Sequence, residues 1–262
     1  FKDNNHKITV FPGFVASTES GEKSTLGRGG SDYTAAIIAS AINASVLEIW
    51  TDVSGMFTAN PNIVKEAFPI CNISYQEAME LSHFGAKVLY PPTIQPALKK
   101  GIPICIKNTF DATAEGTLIT KVSENTNPIK GISHIENMAL ITLEGSGMVG
   151  IPGFSKRLFG ALSEQKINVS LITQASSEHS ICIAISNNDV EKAKEAIDIE
   201  FNYEMEHHKV DELVIEKNNA IIALVGDNMK SHQGISGKMF STLGRNNVNI
   251  RAIAQGASEK NI

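Results

Sequence analysis

The chain has 262 residues, of which 42% are hydrophobic and 19% charged, and its formal net charge is −5 at pH 7. This length and composition predict a globular protein of one or two domains, and the acidic balance, with no cluster of lysines or arginines, argues against a nucleic-acid partner. The longest apolar run, AAIIASAI, is far shorter than the ~20 residues that a membrane span requires, so no membrane partner is expected.

The first half of the chain alternates short apolar runs with helical segments. KITVF predicts a strand, Ser31 or Asp32 is expected to cap a helix through YTAAIIASAINA, and SVLEIW predicts the next strand. Ser74 and Glu77 have the spacing of a capping box, which predicts a helix through AMELSHFGA. A helix through PTIQPALKKG, closed by Gly101, precedes the strand IPICIKN. This alternation predicts an α/β layer with parallel strands.

The second half contains an internal repeat. ALITLEGSGM begins at Ala139 and AIIALVGDNM at Ala220, an offset of 81 residues (220 − 139), and the register continues without a gap. Each copy is predicted to form a strand, a glycine-bearing loop, an amphipathic helix and a second strand. Copy one continues with the strand SICIAISN, a helix from NDVEKAKEAI and a fourth strand near NYEMEHH, which is the βαββαβ order of a ferredoxin-like sandwich. Copy two stops inside its second hairpin.

Two features of the sequence concern the redox state of its cysteines and the completeness of the chain. The cysteines, Cys71, Cys105 and Cys182, are odd in number and widely spaced, so they form no disulfide framework. Each lies in or beside an apolar run, which predicts buried free thiols in a reducing, cytoplasmic location. The chain also opens without methionine and ends abruptly at SEKNI, which suggests a fragment at both ends.

The segment STLGRGGSDYTAA has the composition of an anion-binding turn. Glycines allow a ligand to approach the backbone closely, and the start of the following helix offers free N–H groups. Arg28 adds a fork for a carboxylate or a phosphate, and Asp32 could bind an amino group or orient the group that is phosphorylated. An ordinary structural turn explains the same pattern, and the residues alone leave both interpretations open.

Other candidate residues also have two interpretations. Thr51 and Asp52 end a predicted parallel strand, where open α/β sheets bind ligands, although an ordinary loop explains them equally well. Lys87, after a glycine in FGAKVLYPPT, is either functional or a solvated surface group. Gln174 and Gln255, which end the second strand of each copy, are ligand contacts or strand ends. The pair His207–His208 has no third ligand at a matching spacing, so no metal site is expected there.

Taken together, the motifs resemble one family over essentially the whole chain. LGRGGSDYTAA, EIWTDVSGMFT, SYQEAMELSHFGAKVLYPPT and IPICIKNT are similar to the C-terminal half of the catalytic domain of aspartokinases, and the repeats resemble their paired ACT regulatory domains. The motifs look nearest to the aspartokinase portion of bifunctional aspartokinase–homoserine dehydrogenases. The resemblance implies part of an amino-acid-kinase-type parallel-sheet domain over 1–121, a linker over 122–137, and ferredoxin-like ACT domains over 138–215 and 216–262, the second truncated.

The implied activity is transfer of the γ-phosphoryl group of ATP, accompanied by Mg²⁺, to the side-chain carboxylate of L-aspartate. This reaction opens threonine, methionine and lysine synthesis, and it needs positioning and cationic charge more than covalent help. Asp32 would orient the substrate in catalysis. The residues carried over for aspartate binding are Arg28, Gly29, Gly30, Ser31 and Asp32. Those carried over for the nucleotide are Thr51, Asp52, Phe57, Lys87 and Val88.

The resemblance also implies an allosteric site. In the family, an inhibitory amino acid binds at the interface between ACT units, which suggests a homodimer through the ACT domains. The positions carried over are Met148, Gly153, Asn168, Gln174, Met229, Gly234, Asn249 and Gln255. The glutamines resemble those of threonine-responsive members, so threonine is the expected effector and lysine the alternative. The family also threads one ACT unit through the other, so linear domain boundaries can mislead.

Departures from the family pattern keep a second class of function open. Phe57 stands where the family often has tyrosine, and Asn60-Pro61-Asn62 stands where it often has Asp-Pro-Arg. The N-terminal lysine–glycine phosphate motif and the substrate-binding glutamate have no match, so this chain alone is expected to be inactive. The alternative is a non-catalytic, amino-acid-binding regulatory module on a kinase-like scaffold, and ATP binding distinguishes the two.

Overall fold

The computed structural model describes residues 8–83, 88–124, 126–174, 179–256 and 261–262. The chain divides into two compact units. The N-terminal unit comprises Phe1–Ser133 and Leu224–Ser231, and the repeat unit comprises His134–Ala223 and His232–Ile262. The chain therefore leaves the repeat unit at Leu224 and returns to it at His232. Among the described residues, no helix has the length and apolar character needed to cross a membrane.

The N-terminal unit is built on a four-stranded sheet with the strand order β3-β5-β6-β4. Strand β3 pairs in parallel with β5, and β4 pairs in parallel with β6, whereas β5 and β6 are antiparallel. The predicted α/β layer with parallel strands is confirmed, with this one antiparallel junction. Its strands are β3 (Leu47–Thr51), β4 (Asn72–Ser74), β5 (Ile104–Asn108) and β6 (Thr117–Thr120), and a separate antiparallel hairpin consists of β1 (Val15–Ser17) and β2 (Lys23–Thr25).

Helices pack on this sheet through small side chains. Ala36 and Ala39 are the buried alanines of the first helix, and Ala97 is buried in the third. Ile104 and Ile106, from the sheet, belong to the same buried cluster. Small residues let helices approach closely, and branched residues suit the pleated strands. The helices are α1 (Gly30–Ile42), α2 (Tyr75–His83) and α3 (Gln95–Lys100), the last preceded by a 3₁₀ turn (Pro91–Ile94).

Two predicted helix ends are confirmed in atomic detail. The Glu77 N–H donates to Ser74 Oγ at 3.1 Å and the Ser74 N–H donates to Glu77 Oε2 at 2.9 Å, so the capping box at the start of α2 is reciprocal. Gly101 closes α3 in the left-handed conformation, with φ 68°.

Two other predictions for this unit are wrong. Helix α1 is capped by Gly29, with φ 71°, and Ser31 and Asp32 lie inside its first turn. A left-handed cap favours glycine over the expected hydroxyl or carboxylate. The described part of KITVF forms no strand, and the first strand begins at Val15.

The repeat unit contains a four-stranded sheet with the order β10-β7-β9-β8. Helices α4 and α5 pack together over one face of it, where Ile141, Ile183, Leu158 and Ile197 belong to one buried cluster. The order from β7 to β10 confirms the ferredoxin-like arrangement for copy one. The elements are β7 (Gly131–Glu144), α4 (Phe154–Glu164), β8 (Leu171–Gln174), β9 (Ser180–Ser186), α5 (Val190–Glu200), α6 (Asn202–Glu206), β10 (Val214–Val225) and α7 (Ile235–Arg245).

The expected fourth strand near NYEMEHH is instead helix α6. Phe201 is completely buried and Met205, four residues later, packs against the same core, which is helical spacing. The fourth strand is β10, which begins at Val214. The predicted closing strand of copy two, VNIRAIAQ, is also wrong, because the described residues 248–255 contain no strand.

The long strands β7 and β10 each bend at an asparagine. Asn137 and Asn218, 81 residues apart (218 − 137), both have φ 61°. The side-chain amide of Asn187 donates to Asn137 Oδ1 at 2.8 Å and to Asn218 Oδ1 at 3.2 Å. Asparagine tolerates the left-handed conformation better than most other side chains do. The two bends therefore lie at equivalent positions of the repeat and use the same residue type. Strand β7 begins at Gly131, within the segment expected to be a linker.

The three cysteines are free thiols, but none of them is fully buried. Cys71 is exposed, and Cys105 and Cys182 are partly exposed, so the expected burial is wrong for Cys71. Burial does raise the pKa of the Cys105 thiol.

Candidate functional site

The glycine-rich turn leads into the N-terminus of α1, which has no side-chain cap. Gly27 and Gly29 are left-handed, with φ 73° and 71°, and no side chain caps the first turn of α1. A Cβ atom on Gly30 would lie 2.8 Å from Phe14 Cδ2 and 2.9 Å from Leu26 Cβ, so this position has little room for a side chain. The turn therefore needs glycine for its backbone at two positions and for space at a third.

Arg28 projects from this turn and is exposed. Its guanidinium carbon lies 5.7 Å from the centre of the Tyr90 ring, within the range of a cation–π contact. Within the described parts of the chain, Arg28 forms no salt bridge. A guanidinium held by a ring face keeps its N–H fork available, which suits a carboxylate or phosphate ligand.

Asp32 lies in the first turn of α1 and is half-buried. Burial raises the pKa of this carboxyl because water stabilises the ionised form less well there. A cationic ligand group placed beside it would offset that cost. Asp32 is therefore suited to accept hydrogen bonds from an ammonium group.

The end of β3 carries Thr51 and Asp52. The Thr51 hydroxyl donates to Asp52 Oδ1 at 3.2 Å. Asn108, paired with Thr51 in the parallel register, donates from its side-chain amide to Ser54 Oγ at 2.9 Å. Asn108 thus fixes the loop after β3, a role that the sequence analysis missed.

The same loop continues to Phe57 and is held from a neighbouring strand. The Met56 N–H donates to Thr117 Oγ1 at 2.8 Å, and the Thr117 hydroxyl donates to the Ile70 carbonyl at 2.7 Å. Thr117 is completely buried, and Phe57 forms an isolated bridge with Pro69. A polar residue at a buried position of the strand TLIT was the available signal for this second missed residue.

The first two motifs lie at one edge of the sheet. Only residues 43–46 separate the end of α1 from the start of β3, and the two elements pack together. They must therefore run in opposite directions, which places the start of α1 beside the end of β3. The contact between Arg28 and Tyr90 brings the third motif to the same turn, because Tyr90 follows Val88 by two residues. Val88 packs against the core of the unit, and Lys87 lies outside the described residues.

The expected effector residues occupy equivalent local settings in the two copies. Gly153 and Gly234 cap α4 and α7 in the left-handed region, with φ 105° and 82°, and neither helix start has a side-chain cap. Met148 and Met229 are only 3% and 5% exposed, so they offer little surface to a ligand. Asn168, Gln174, Asn249 and Gln255 are exposed.

Comparisons with protein families agree with this division. Residues 1–108 match the amino acid kinase family, and residues 141–201 and 222–262 match the ACT domain. The chain is 44% identical over 257 residues to the bifunctional aspartokinase/homoserine dehydrogenase of Haemophilus influenzae, covering 98% of this chain and 32% of that protein. It is 43% identical over 268 residues to bifunctional aspartokinase/homoserine dehydrogenase 1, chloroplastic, of Arabidopsis thaliana, covering 100% of this chain and 29% of that protein. The chain thus spans about a third of the length of these relatives.

Solved structures give the same picture. Aspartate kinase of Clostridium acetobutylicum is similar with a TM-score of 0.84 and 35% identity, over 95% of this chain and 57% of that one. Aspartokinase III of Escherichia coli, in complex with aspartate and ADP, is similar with a TM-score of 0.76 and 34% identity, over 95% of this chain and 55% of that one.

Proposed function

We propose that this chain, which is homologous to the aspartokinase portion of bifunctional aspartokinase/homoserine dehydrogenases, carries the aspartate-binding part of an aspartate kinase and its amino-acid sensor. The observation that carries the proposal is the placement of Arg28. Its guanidinium lies over Tyr90 at the open N-terminus of α1, at the sheet edge where Thr51 and Asp52 end β3.

The proposed roles follow from charge and placement. Arg28 binds a carboxylate of L-aspartate through its N–H fork, with Gly29, Gly30 and Ser31 forming the close backbone wall. Asp32 accepts hydrogen bonds from the substrate ammonium and thereby orients the carboxylate that is phosphorylated. These groups hold the acceptor still while charge moves between two anions, which is the main requirement of phosphoryl transfer.

The nucleotide is proposed to bind along the loop after β3. Thr51, Asp52, Phe57 and Val88 are the described candidates, with Lys87 as the cation for its phosphates. Mg²⁺ would accompany ATP, and a carboxylate such as that of Asp52 is the ligand type that it prefers. When bound, the ion would neutralise charge on the transferred phosphoryl group.

Substitution of Arg28 tests the aspartate site. Arg28→Lys keeps the charge but removes the fork, so we expect at least about tenfold weaker L-aspartate binding by calorimetry, since a charge-assisted hydrogen bond contributes roughly 1.5–3 kcal/mol. The exposed Arg245→Lys is the matched control and should bind as the unaltered chain does. Equal affinity in Arg28→Lys would contradict the assignment.

The regulatory part of the proposal is an amino-acid site in the repeats. Threonine is proposed as the effector through Gln174 and Gln255, with lysine as the alternative, and the E. coli relative is by name a lysine-sensitive aspartokinase. A thermal-shift series separates them: stabilisation by lysine and not by threonine would reverse the choice. A homodimer through the repeat unit is proposed with the site, and sedimentation velocity measures it.

Two further expectations remain proposals. This chain alone is proposed to be inactive, and steady ADP release with aspartate in a coupled assay would refute that. A cytoplasmic location is proposed from the cysteine pattern, although plant relatives are chloroplastic by name.

Phe57 and Asn62 favour the second candidate, a non-catalytic amino-acid-binding module. Asn62 is exposed and its N–H donates to Asn60 Oδ1 at 3.0 Å, so the loop supplies an asparagine turn where the family often has an arginine. An affinity measurement with ATP on the full-length protein discriminates the two candidates, because only a kinase needs the nucleotide.

A further inference from the structure

A buried polar network surrounds the start of α2 in the N-terminal unit. The Glu77 side chain has no exposed surface and accepts the Ser74 N–H on Oε2 at 2.9 Å and the Asp227 N–H on Oε1 at 2.7 Å. Lys130 Nζ lies 3.8 Å from Glu77 Oε1. The Ser74 hydroxyl donates to Asp227 Oδ2. The capping box of α2 is thereby joined to residues far along the chain.

Lys130 is as buried as its partner. Its side chain has no exposed surface, and Nζ also donates to the Asn127 carbonyl at 2.7 Å. Desolvation offsets most of the attraction within a buried ion pair, so apolar residues of similar size would stabilise the fold as well. Stability alone therefore does not account for this pair.

The internal repeat allows the backbone around Gly226 to be compared with the equivalent backbone around Gly145. A Cβ atom on Gly226 would lie 2.0 Å from the Pro128 carbonyl oxygen, and one on Gly145 would lie 2.4 Å from the Lys209 carbonyl oxygen. Both pairs are related by the repeat, because 226 − 145 and 209 − 128 are each 81. Each glycine loop therefore packs on the equivalent backbone segment within its own unit.

The neighbouring backbone hydrogen bonds repeat in the same way. The Lys130 N–H donates to the Val225 carbonyl at 2.8 Å, and the Asp211 N–H donates to the Glu144 carbonyl at 2.8 Å. These positions again differ by 81 residues (211 − 130 and 225 − 144). The backbone arrangement is thus common to both copies.

The side chains at these equivalent positions differ. Asp211, equivalent to Lys130, is exposed, and so is Ser146, which is equivalent to Asp227. At these two described positions, copy one forms the shared backbone arrangement without a buried charge. The buried Lys130 and the partly buried Asp227 are therefore additional to what the repeat needs, and their common partner, Glu77, lies outside the repeats.

The network joins two segments to which the proposed function assigns ligands. The Leu224–Ser231 segment holds Asp227 and Met229, and it ends three residues before Gly234, so it leads into the expected effector loop of copy two. At the other end, α2 leads along the chain to Lys87 and Val88, the expected nucleotide segment.

We propose that Glu77, Lys130 and Asp227 couple the effector loop of the second repeat to α2, so that an amino acid bound at that loop changes the stability of α2. Glu77 is the positioning residue of this link, because its carboxylate contacts the capping serine, the lysine and the backbone N–H of the aspartate. The inference rests on the proposed function and names the regulation of the same site.

Hydrogen exchange on this chain, with saturating threonine or lysine as the probe, tests the link. In the unaltered chain we expect the bound amino acid to change exchange of the α2 amides about tenfold, the scale of a typical allosteric coupling. Glu77→Gln keeps the shape of the side chain but removes the charge that faces Lys130. It should bind the amino acid with unchanged affinity by calorimetry and lose the response of α2.

Two further variants keep the test decisive. Glu77→Gln/Lys130→Met removes both charges together, so it avoids an unpaired buried lysine if the single variant fails to fold, and it should also lose the response. Asp211→Asn, the equivalent exposed position of copy one, is the matched control and should keep the response.

The outcomes separate the inference from the proposed function. If the unaltered chain binds an amino acid but α2 does not respond, or if the double variant responds fully, the coupling is overturned and the effector site stands. If neither amino acid binds the unaltered chain, the effector role of the repeats fails, and the coupling fails with it.

Discussion

Arg157 forms four hydrogen bonds within the repeat unit and provides a direct test of how that unit is held together. Its guanidinium donates to Glu200 Oε1 at 2.6 Å, to the Glu200 carbonyl at 2.6 Å, and to both carboxylate oxygens of Glu204 at 2.5 and 3.2 Å. It also lies 4.5 Å from the centre of the Phe201 ring. Arg157 therefore links α4 to the end of α5 and to α6.

Arg157→Met removes the charge and the hydrogen bonds but keeps an unbranched, apolar stem. The Glu200 pair is weak in free energy because its side chains are 35% and 37% exposed. The side chain of Glu204 is only 15% exposed, so losing its hydrogen bonds with Arg157 costs roughly 1.5–3 kcal/mol. The ring contact adds roughly 0.5–1 kcal/mol. We expect the free energy of unfolding of the repeat unit to fall by roughly 2–4 kcal/mol.

The effect should depend on pH with a defined sign. The hydrogen bond from Arg157 lowers the pKa of Glu204 below its ordinary value of 4.5. A folded-state pKa below the unfolded one stabilises the fold above the unfolded value, and this stabilisation is lost as the pH falls through the folded value. The difference between Arg157→Met and the unaltered chain should therefore be full at pH 7 and shrink below pH 4.5.

Urea unfolding followed by two probes provides the assay. The single tryptophan, Trp50, lies in the N-terminal unit, so its fluorescence follows that unit, whereas far-ultraviolet circular dichroism follows both. Arg157→Met should lower the dichroism transition and leave the fluorescence midpoint in place. The exposed neighbour Lys156→Met is the control, with an expected change within about 0.5 kcal/mol. A loss under about 1 kcal/mol, or one that is the same at pH 7 and pH 3, would refute the reasoning.

Three further predictions concern the site and the glycine loops. Tyr90→Leu should weaken aspartate binding about two- to fivefold by loosening Arg28, whereas Tyr90→Phe should not, and equal calorimetric affinities would contradict this. Gly226→Ala should lower the free energy of unfolding in urea by roughly 2–3 kcal/mol, because the new Cβ meets a backbone oxygen. Gly160→Ala, in open space within α4, should raise it by roughly 0.5–1 kcal/mol. Similar effects of the two variants would contradict the packing argument. Asp32→Asn should raise the melting temperature at pH 7, because burial raises the pKa of this carboxyl and so disfavours its ionised form in the folded state. That gain should vanish at low pH, where both states are protonated, and a pH-independent gain would contradict the cause.

Local rules predicted the helix ends that depend on spacing alone. The reciprocal bonds of Ser74 and Glu77 and the left-handed Gly101 need only a few neighbouring residues, so their sequence pattern was sufficient. The start of α1 was misassigned because Gly29 supplies a backbone conformation, not a side-chain bond. Helix α6 was missed because the fourth strand was expected from the fold order, while Phe201 and Met205 already had helical spacing.

For the candidate site, the sequence predicted the residues within each motif but not their partners from distant parts of the chain. Arg28 and Tyr90 are 62 residues apart (90 − 28), and their contact depends on how α1 packs against the turn before α3. Asn108 reaches the loop after β3 because the parallel register sets it beside Thr51. Such partners follow from strand order and register, which no local pattern encodes.

The repeat shows where sequence symmetry predicts structure and where it does not. The positions that keep the 81-residue offset set backbone conformation: Asn137 and Asn218 bend the long strands, and Gly153 and Gly234 start the helices.

Two of the positions that break the symmetry carry charges that form ion pairs. Lys130 is replaced by Asp211, and Arg157 by Lys238 (238 − 157 = 81). Both Lys130 and Arg157 form ion pairs with glutamates, the first in the N-terminal unit and the second in the repeat unit. The duplication thus accounts for backbone conformations that the copies share, whereas these ion pairs are features in which the copies differ. Substitutions at the divergent charges, and not at the shared glycines, are therefore the ones expected to separate ligand binding from its consequences.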